Sequence, residues 1–171
     1  MIQTVEKTIR GRKSVRTFEN KAIEPEKKKL ILDFMSNNAV GIFGNKVNFY
    51  WIDANSDEFR NVKLGTYGVI SGAKYFITGK IADSEKTFED FGYNMEKLIL
   101  YCAELNLGTC WLGGTYKKTA FSTAIDLKED EIIPAVTPIG YSGTKKLKII
   151  SIFASIQDNW ITGSTFFLNS E

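Results

Sequence analysis

The residue pattern predicts an α+β fold held in one domain, and three observations carry that reading. Apolar residues recur at three- and four-residue spacings through Phe91, Met95, Leu98, Ile99, Cys102 and Leu105, the period of a helix with one buried face. Three short runs, Val47 to Asp53, Tyr75 to Ile81 and Ala135 to Ile139, are rich in β-branched and aromatic residues and read as strands. Helices and strands alternate without the regular βαβ spacing of a parallel sheet. A chain of 171 residues, 43% hydrophobic, is long enough to bury one sizeable core but not two.

The elements follow in order. Met1, Ile2, Val5 and Ile9 mark the apolar face of a short first helix, which Gly11 can end. Pro25 opens a second helix with Leu30, Ile31, Phe34 and Met35 on one face; Glu26, Lys27, Lys28 and Lys29 lie mostly off it, as a solvated surface. The first two strands come next, then a polar connector from Asp83 to Lys86 and the long central helix. Gly108 is expected to stop that helix, because glycine enters the left-handed region without a Cβ clash. The third strand follows, and no repeat or low-complexity tract interrupts the chain.

Two segments stand out chemically. Leu105 to Gly114, Leu-Asn-Leu-Gly-Thr-Cys-Trp-Leu-Gly-Gly, is an apolar loop in which Gly113 and Gly114 follow Trp111 and Leu112. Such a loop lets main-chain N–H groups face a flat ligand, although it also suits an ordinary buried turn. Ile9 to Phe18 carries Arg10, Arg12, Lys13 and Arg16 with the hydroxyl of Ser14, a set matched to phosphate oxygens.

Composition removes other chemistries. The chain has no histidine, so hydrolases of the Ser-His-Asp or Cys-His kind and histidine-ligated metal sites are excluded. Neither G-x-G-x-x-G nor G-x-x-x-x-G-K-[ST] occurs. A net charge of +2 gives no general footprint for nucleic acid or an anionic membrane. No apolar run approaches the roughly 18 residues of a membrane span, and the first residues lack a signal-peptide core, so a cytoplasmic protein is expected. Cys102 and Cys110 have neither Cys-x-x-Cys spacing nor a disulfide-rich setting and are expected to be buried thiols. No metal site is expected. A histidine-free site is satisfied by a cofactor that brings its own reactivity.

With these segments in hand, the chain resembles the nitroreductase family of flavin enzymes, in particular the branch carrying Leu-Gly-Thr-Cys-Trp-Leu-Gly-Gly after the central helix. Gly65 to Tyr75, Asp90 to Leu100 and Ile133 to Tyr141 are similar to three further stretches of that branch, in the same order. The resemblance implies a central, mostly antiparallel sheet flanked by helices, a homodimer, and bound FMN. It places Arg12 at the FMN phosphate, Lys13 and Ser14 along the phosphate and ribityl chain, and Arg16 toward N1 and the C2 carbonyl. Trp111, Leu112, Gly113 and Gly114 match the loop along the isoalloxazine, with the Gly113 N–H as candidate donor to N5. Gly44 and Asn45 fall in a loop, Gly41 to Asn45, that the family often donates across the subunit interface; here it departs from the common Pro-Ser-x-x-Asn-x-Gln-Pro-Trp form. Lys146 is the candidate to close over the phosphate, beside Lys145 and Lys148.

The resemblance ends near Tyr141. Residues 1–148 are expected to form the FMN-binding domain and residues 149–171 a C-terminal extension that crosses to the partner or is a shortened remnant. The implied activity is transfer of hydride from NAD(P)H, through flavin N5, to a small electrophilic acceptor such as a nitroaromatic or quinone, in two half-reactions at one pocket. It needs no catalytic protein side chain. A flavin-binding sensor or carrier without turnover is the alternative that the altered Gly41 to Asn45 loop leaves open.

Overall fold

Alternation along the longest strand sets the layers. The computed structural model describes residues 5–57, 59 and 64–144. In β2 (Tyr75–Ala82), Ile77 and Ile81 enter one apolar cluster and Phe76 another, as the two-residue side-chain period of a strand requires. β2 pairs antiparallel with β1 (Asn48–Asp53) on one side and with β5 (Val136–Gly140) on the other. The two-residue β3 (Gly108–Thr109) extends the sheet beyond β5, giving the order β1-β2-β5-β3, while the short β4 (Glu131–Ile132) pairs with the end of β2. The paired strands β1 to β5 all run antiparallel to their neighbours, in agreement with the α+β expectation.

One face carries α2 (Pro25–Asn37) and the central helix α3 (Thr87–Glu104) over Val47, Ile77, Ile81 and Ile139. The predicted face of α3 is the buried one: Phe91, Met95, Leu98, Ile99 and Cys102 are all within 2% of full burial. Gly79 lets that helix approach, since a Cβ there would stand 3.0 Å from the Phe91 ring and from Val47. The other face carries α4 (Lys118–Ala124), whose Phe121 packs edge-on against Phe76 and Tyr116 over Ile52 and Val136. Both cysteines are free and buried, and burial pushes the Cys102 thiol up to about 12.

Four details differ from the sequence reading. Gly108 does not end α3. The helix stops at Glu104, Asn106 takes the left-handed conformation at φ 59°, and Gly108 already lies in β3. In the first helix, α1 (Val5–Gly11), Val5 and Ile9 are 63% and 55% exposed and Thr8 is the buried residue. Leu30 of α2 is exposed, whereas Lys27 is half-buried and donates to the Tyr141 hydroxyl at 2.8 Å. That hydroxyl in turn donates to Glu24, which is held down at about 2 mainly by this bond, tying the start of α2 to the end of β5. Finally, α4, β3 and β4 were not anticipated, because two-residue strands have no periodicity and Lys-Thr-Ala-Phe-Ser-Thr-Ala has little helix-forming bias.

Candidate functional site

After α1 the chain leaves helical geometry and runs extended from Arg12 to Phe18 across the β3 end of the sheet. Its hydrogen bonds come from three separate places. The Val15 N–H donates to Thr109 O at 2.8 Å, beside a parallel bridge between Ser14 and Thr109. Phe18 N donates to Ser71 O at 2.8 Å and Ser71 N to Arg16 O at 2.9 Å. Gly143 N donates to Thr17 O at 2.8 Å, and Glu19 N to Tyr141 O at 2.9 Å.

Glycines make this arm fit. A Cβ on Gly108 would stand 2.6 Å from Val15, and one on Gly72, at φ 78°, 2.4 Å from Phe18 O. Gly108 therefore serves the arm, not the helix end for which the sequence suggested it.

The second predicted segment lies beside this arm. Leu112 exchanges backbone hydrogen bonds with Val136 of β5, at 2.9 and 3.0 Å, and the Cys110 N–H donates to the Thr137 hydroxyl at 3.1 Å. The loop is thus anchored through its buried residues, Cys110 and Leu112, and turns Gly113 and Gly114 outward. A Cβ built on either glycine meets nothing within 4 Å. Arg16, Val69, Cys110 and residues 111–115 line an open cavity of about 240 Å³. Burial pushes the Cys110 thiol up, opposed by Arg16, Ser14 and Arg12, so the thiol is protonated and sits among the arm's polar groups.

One carboxylate ties the arm to the loop. Glu96, on α3, approaches Arg12 Nε with Oε1 at 3.3 Å and accepts the Trp111 indole N–H with Oε2 at 2.8 Å. Arg12 Nη1 is buried and has no hydrogen-bond partner among the described residues. The indole also packs edge-on to Phe91, 6.3 Å between ring centroids.

The structure therefore brings together Arg12, Ser14, Arg16, Trp111, Leu112, Gly113 and Gly114. Lys13 is exposed on the same arm. Gly44 and Asn45 sit elsewhere, in a tight loop at the start of α3. The buried Asp90 accepts the Phe43 and Asn45 N–H groups, both at 2.8 Å, and the Asn45 side chain at 3.0 Å. Burial alone would raise Asp90, but these donors together hold its carboxyl below the usual range. The Asn45 amide is fully engaged: it also donates to Glu85 O at 2.9 Å and accepts from Ser84 Oγ at 2.8 Å. Lys146 lies outside the described residues.

Glu96 and Asp90 escaped the sequence reading. A single glutamate off the apolar face of a helix has the same local signature as a solvated one, and only the distant Arg12 and Trp111 reveal its work.

The family model described as "Putative TM nitroreductase" matches residues 4–160. No curated protein matches the sequence. Among solved structures, a nitroreductase family protein from Clostridium novyi NT is 17% identical with a TM-score of 0.67, covering 82% of this chain and 86% of that one. A nitroreductase family protein from Clostridium difficile 630 is also 17% identical, with a TM-score of 0.64 and coverages of 86% and 88%. A "putative nitroreductase in complex with fmn" from Desulfovibrio desulfuricans is 20% identical, with a TM-score of 0.64 and coverages of 89% and 96%. At these identities the structures establish the fold. The family model, matching most of the chain with the arm, the glycine loop and the central helix inside its span, shows that this chain belongs to the nitroreductase family.

Proposed function

We propose that the chain is an FMN-dependent oxidoreductase that uses NAD(P)H to reduce a small electrophilic acceptor, a nitroaromatic or a quinone, in two half-reactions at one pocket. The observation that carries this reading is the pairing of a buried Arg12 Nη1, without an acceptor among the described residues, with an adjacent glycine edge where added side chains would meet open space. An anion would satisfy the first, and a flat ring could lie against the second. The solved relative from Desulfovibrio desulfuricans in complex with FMN supports the choice of cofactor. Bound FMN would supply the hydride acceptance and donation that no side chain here provides.

The chain's own residues would bind and orient it. Arg12 would hold the phosphate, with Lys13 and Ser14 along the phosphate and ribityl chain and Lys146 closing over it. Arg16, on the wall of the cavity, would place its cation at the pyrimidine edge, where a fixed positive charge favours added electron density. The backbone of Gly113 and Gly114 would face the ring, with Trp111 and Leu112 as its support.

A cavity of about 240 Å³ is smaller than the roughly 300–1,000 Å³ of a complete small-molecule site. Completion by a second subunit is the natural consequence, and we include a homodimer in the proposal. Val5 and Ile9 of α1, Val40, Ile42 and Phe43 of the Asp90-bound loop, and Phe88 and Tyr93 of α3 are all exposed, and the first two groups pack against or bond to α3. Gly44 and Asn45 would then reach the partner's cofactor through backbone atoms, since the Asn45 side chain is engaged. Residues 149–171 would form the segment crossing to the partner. Among the described residues the outer edge of β1 has no paired strand, and the groove of about 680 Å³ between it and α2 holds the buried Trp51 Nε1 without a partner; both are consistent with such a crossing.

Anaerobic mixing of the FMN-reconstituted protein with NADH or NADPH tests the reading. The yellow absorbance is expected to bleach with at least one of them and to return when a quinone is added. Tight FMN binding without bleaching would instead establish a sensor or carrier, and failure to bind FMN would overturn the flavin assignment altogether.

A further inference from the structure

The role of Glu96 goes beyond the family's outline. Each of its two oxygens has a different partner: Oε1 lies 3.3 Å from Arg12 Nε, and Oε2 accepts the Trp111 indole at 2.8 Å. Trp111 has a single donor, so this one bond settles the rotation of its ring, with Phe91 packed against the edge. Arginine presents five N–H donors in a rigid plane, and a contact at Nε leaves the Nη groups available. Glu96 thus takes the edge of the guanidinium that the site does not need. The buried Nη1 is left without an acceptor among the described residues.

Resting on the flavin reading above, we propose that Glu96 is the positioning residue of the site: one carboxylate, on the rigid central helix, aims the phosphate-binding guanidinium of Arg12 and the ring-supporting indole of Trp111 together. A carboxylate near a bound phosphate costs some affinity by repulsion. Fixing a long arginine side chain in its binding geometry before the ligand arrives offsets more than that, because its rotamer freedom is otherwise lost on binding.

Comparing FMN with riboflavin, which lacks the phosphate, separates the two arms. Glu96→Gln keeps an oxygen for the Trp111 N–H but presents Arg12 with an uncharged group. It is expected to weaken FMN binding about tenfold, the size of one charge-assisted hydrogen bond, and to leave riboflavin affinity unchanged. Glu96→Leu releases both partners and is expected to weaken both ligands. In an Arg12→Ala background, Glu96→Gln is expected to cost nothing more, since its effect passes through Arg12.

Thermal melting of the apoproteins checks that the variants fold. FMN affinity that is unchanged or tighter in Glu96→Gln, or an equal loss for FMN and riboflavin in that variant, would overturn the positioning role while leaving the flavin reading in place. Failure of the parent protein to bind either flavin would overturn both.

Discussion

At Arg12 one edge of the guanidinium is committed to Glu96 and Nη1 is buried without an acceptor among the described residues. Arg12→Ala is therefore expected to weaken FMN binding by about 1.5–3 kcal/mol, the worth of hydrogen bonds to a charged group, with the apoprotein still folded; fluorescence titration of FMN against the variant measures it. Gly113 makes the complementary case. A Cβ there meets nothing within 4 Å, so Gly113→Val is expected to leave the apoprotein's melting temperature close to that of the parent and still to lower FMN affinity, because the added branches occupy the space facing the ring. Parallel melting curves and titrations decide it, and wild-type affinity would make the loop an ordinary turn. Both candidates can be picked out in the sequence because local chemistry marks them, a hydroxyl among cations and paired glycines after an aromatic residue, while the roles proposed for them come from the family likeness. Glu96 cannot be picked out so, since its meaning depends on partners brought near only by folding. Gly108 was legible as important but for the wrong reason; a glycine that makes room for Val15 from a distant segment has the same local signature as one that ends a helix.

Between elements, a charge pair accompanies the backbone pairing of β4 with β2. Lys80 Nζ, on a side chain only 9% exposed, contacts Glu131 Oε2 at 2.8 Å and donates to Asp126 O at 3.3 Å. Its hydrogen bond with Lys80 is the main cause holding Glu131 below the ordinary carboxylate range. Because the folded-state value is the depressed one, the stability from Glu131 is present in full above the ordinary glutamate value, about 4.3, and is lost as pH falls through the folded-state value. Glu131→Gln leaves the Lys80 ammonium buried with a weaker partner. It is expected to lower the melting temperature by several degrees at pH 7, and the gap between parent and variant is expected to shrink toward acid pH. A gap independent of pH would show that the pair does not carry this attachment. The long elements could be read in advance because each repeats its period several times: the apolar face of α3 recurs over about four turns, and β1, β2 and β5 lie within a residue or two of the expected runs. Two-residue strands cannot repeat anything, and β3 and β4 exist only because β5 and β2 hold them.

For the molecule as a whole, the exposed apolar residues on and against α3 predict a homodimer in which FMN binding and association reinforce each other. Light scattering is expected to give a dimer whose melting temperature rises with added FMN, and removal of residues 149–171 is expected to shift the protein toward monomer with weaker FMN binding. A stable monomer carrying stoichiometric, reducible FMN would remove the shared-site model, including the role of Gly44 and Asn45. In the sequence this assembly is indicated through the family likeness; Met35, Met95, Leu98 and Ile99 are buried within the single chain, while Phe43 is exposed. The arm from Arg12 to Phe18 carries one last consequence, for folding. Its hydrogen-bonding partners, Ser71, Thr109, Tyr141 and Gly143, are all distant from it in sequence. Each contact must close a long loop before it stabilises anything, so docking of the arm is expected to follow pairing of the β1-β2 strands, which are far closer to each other along the chain.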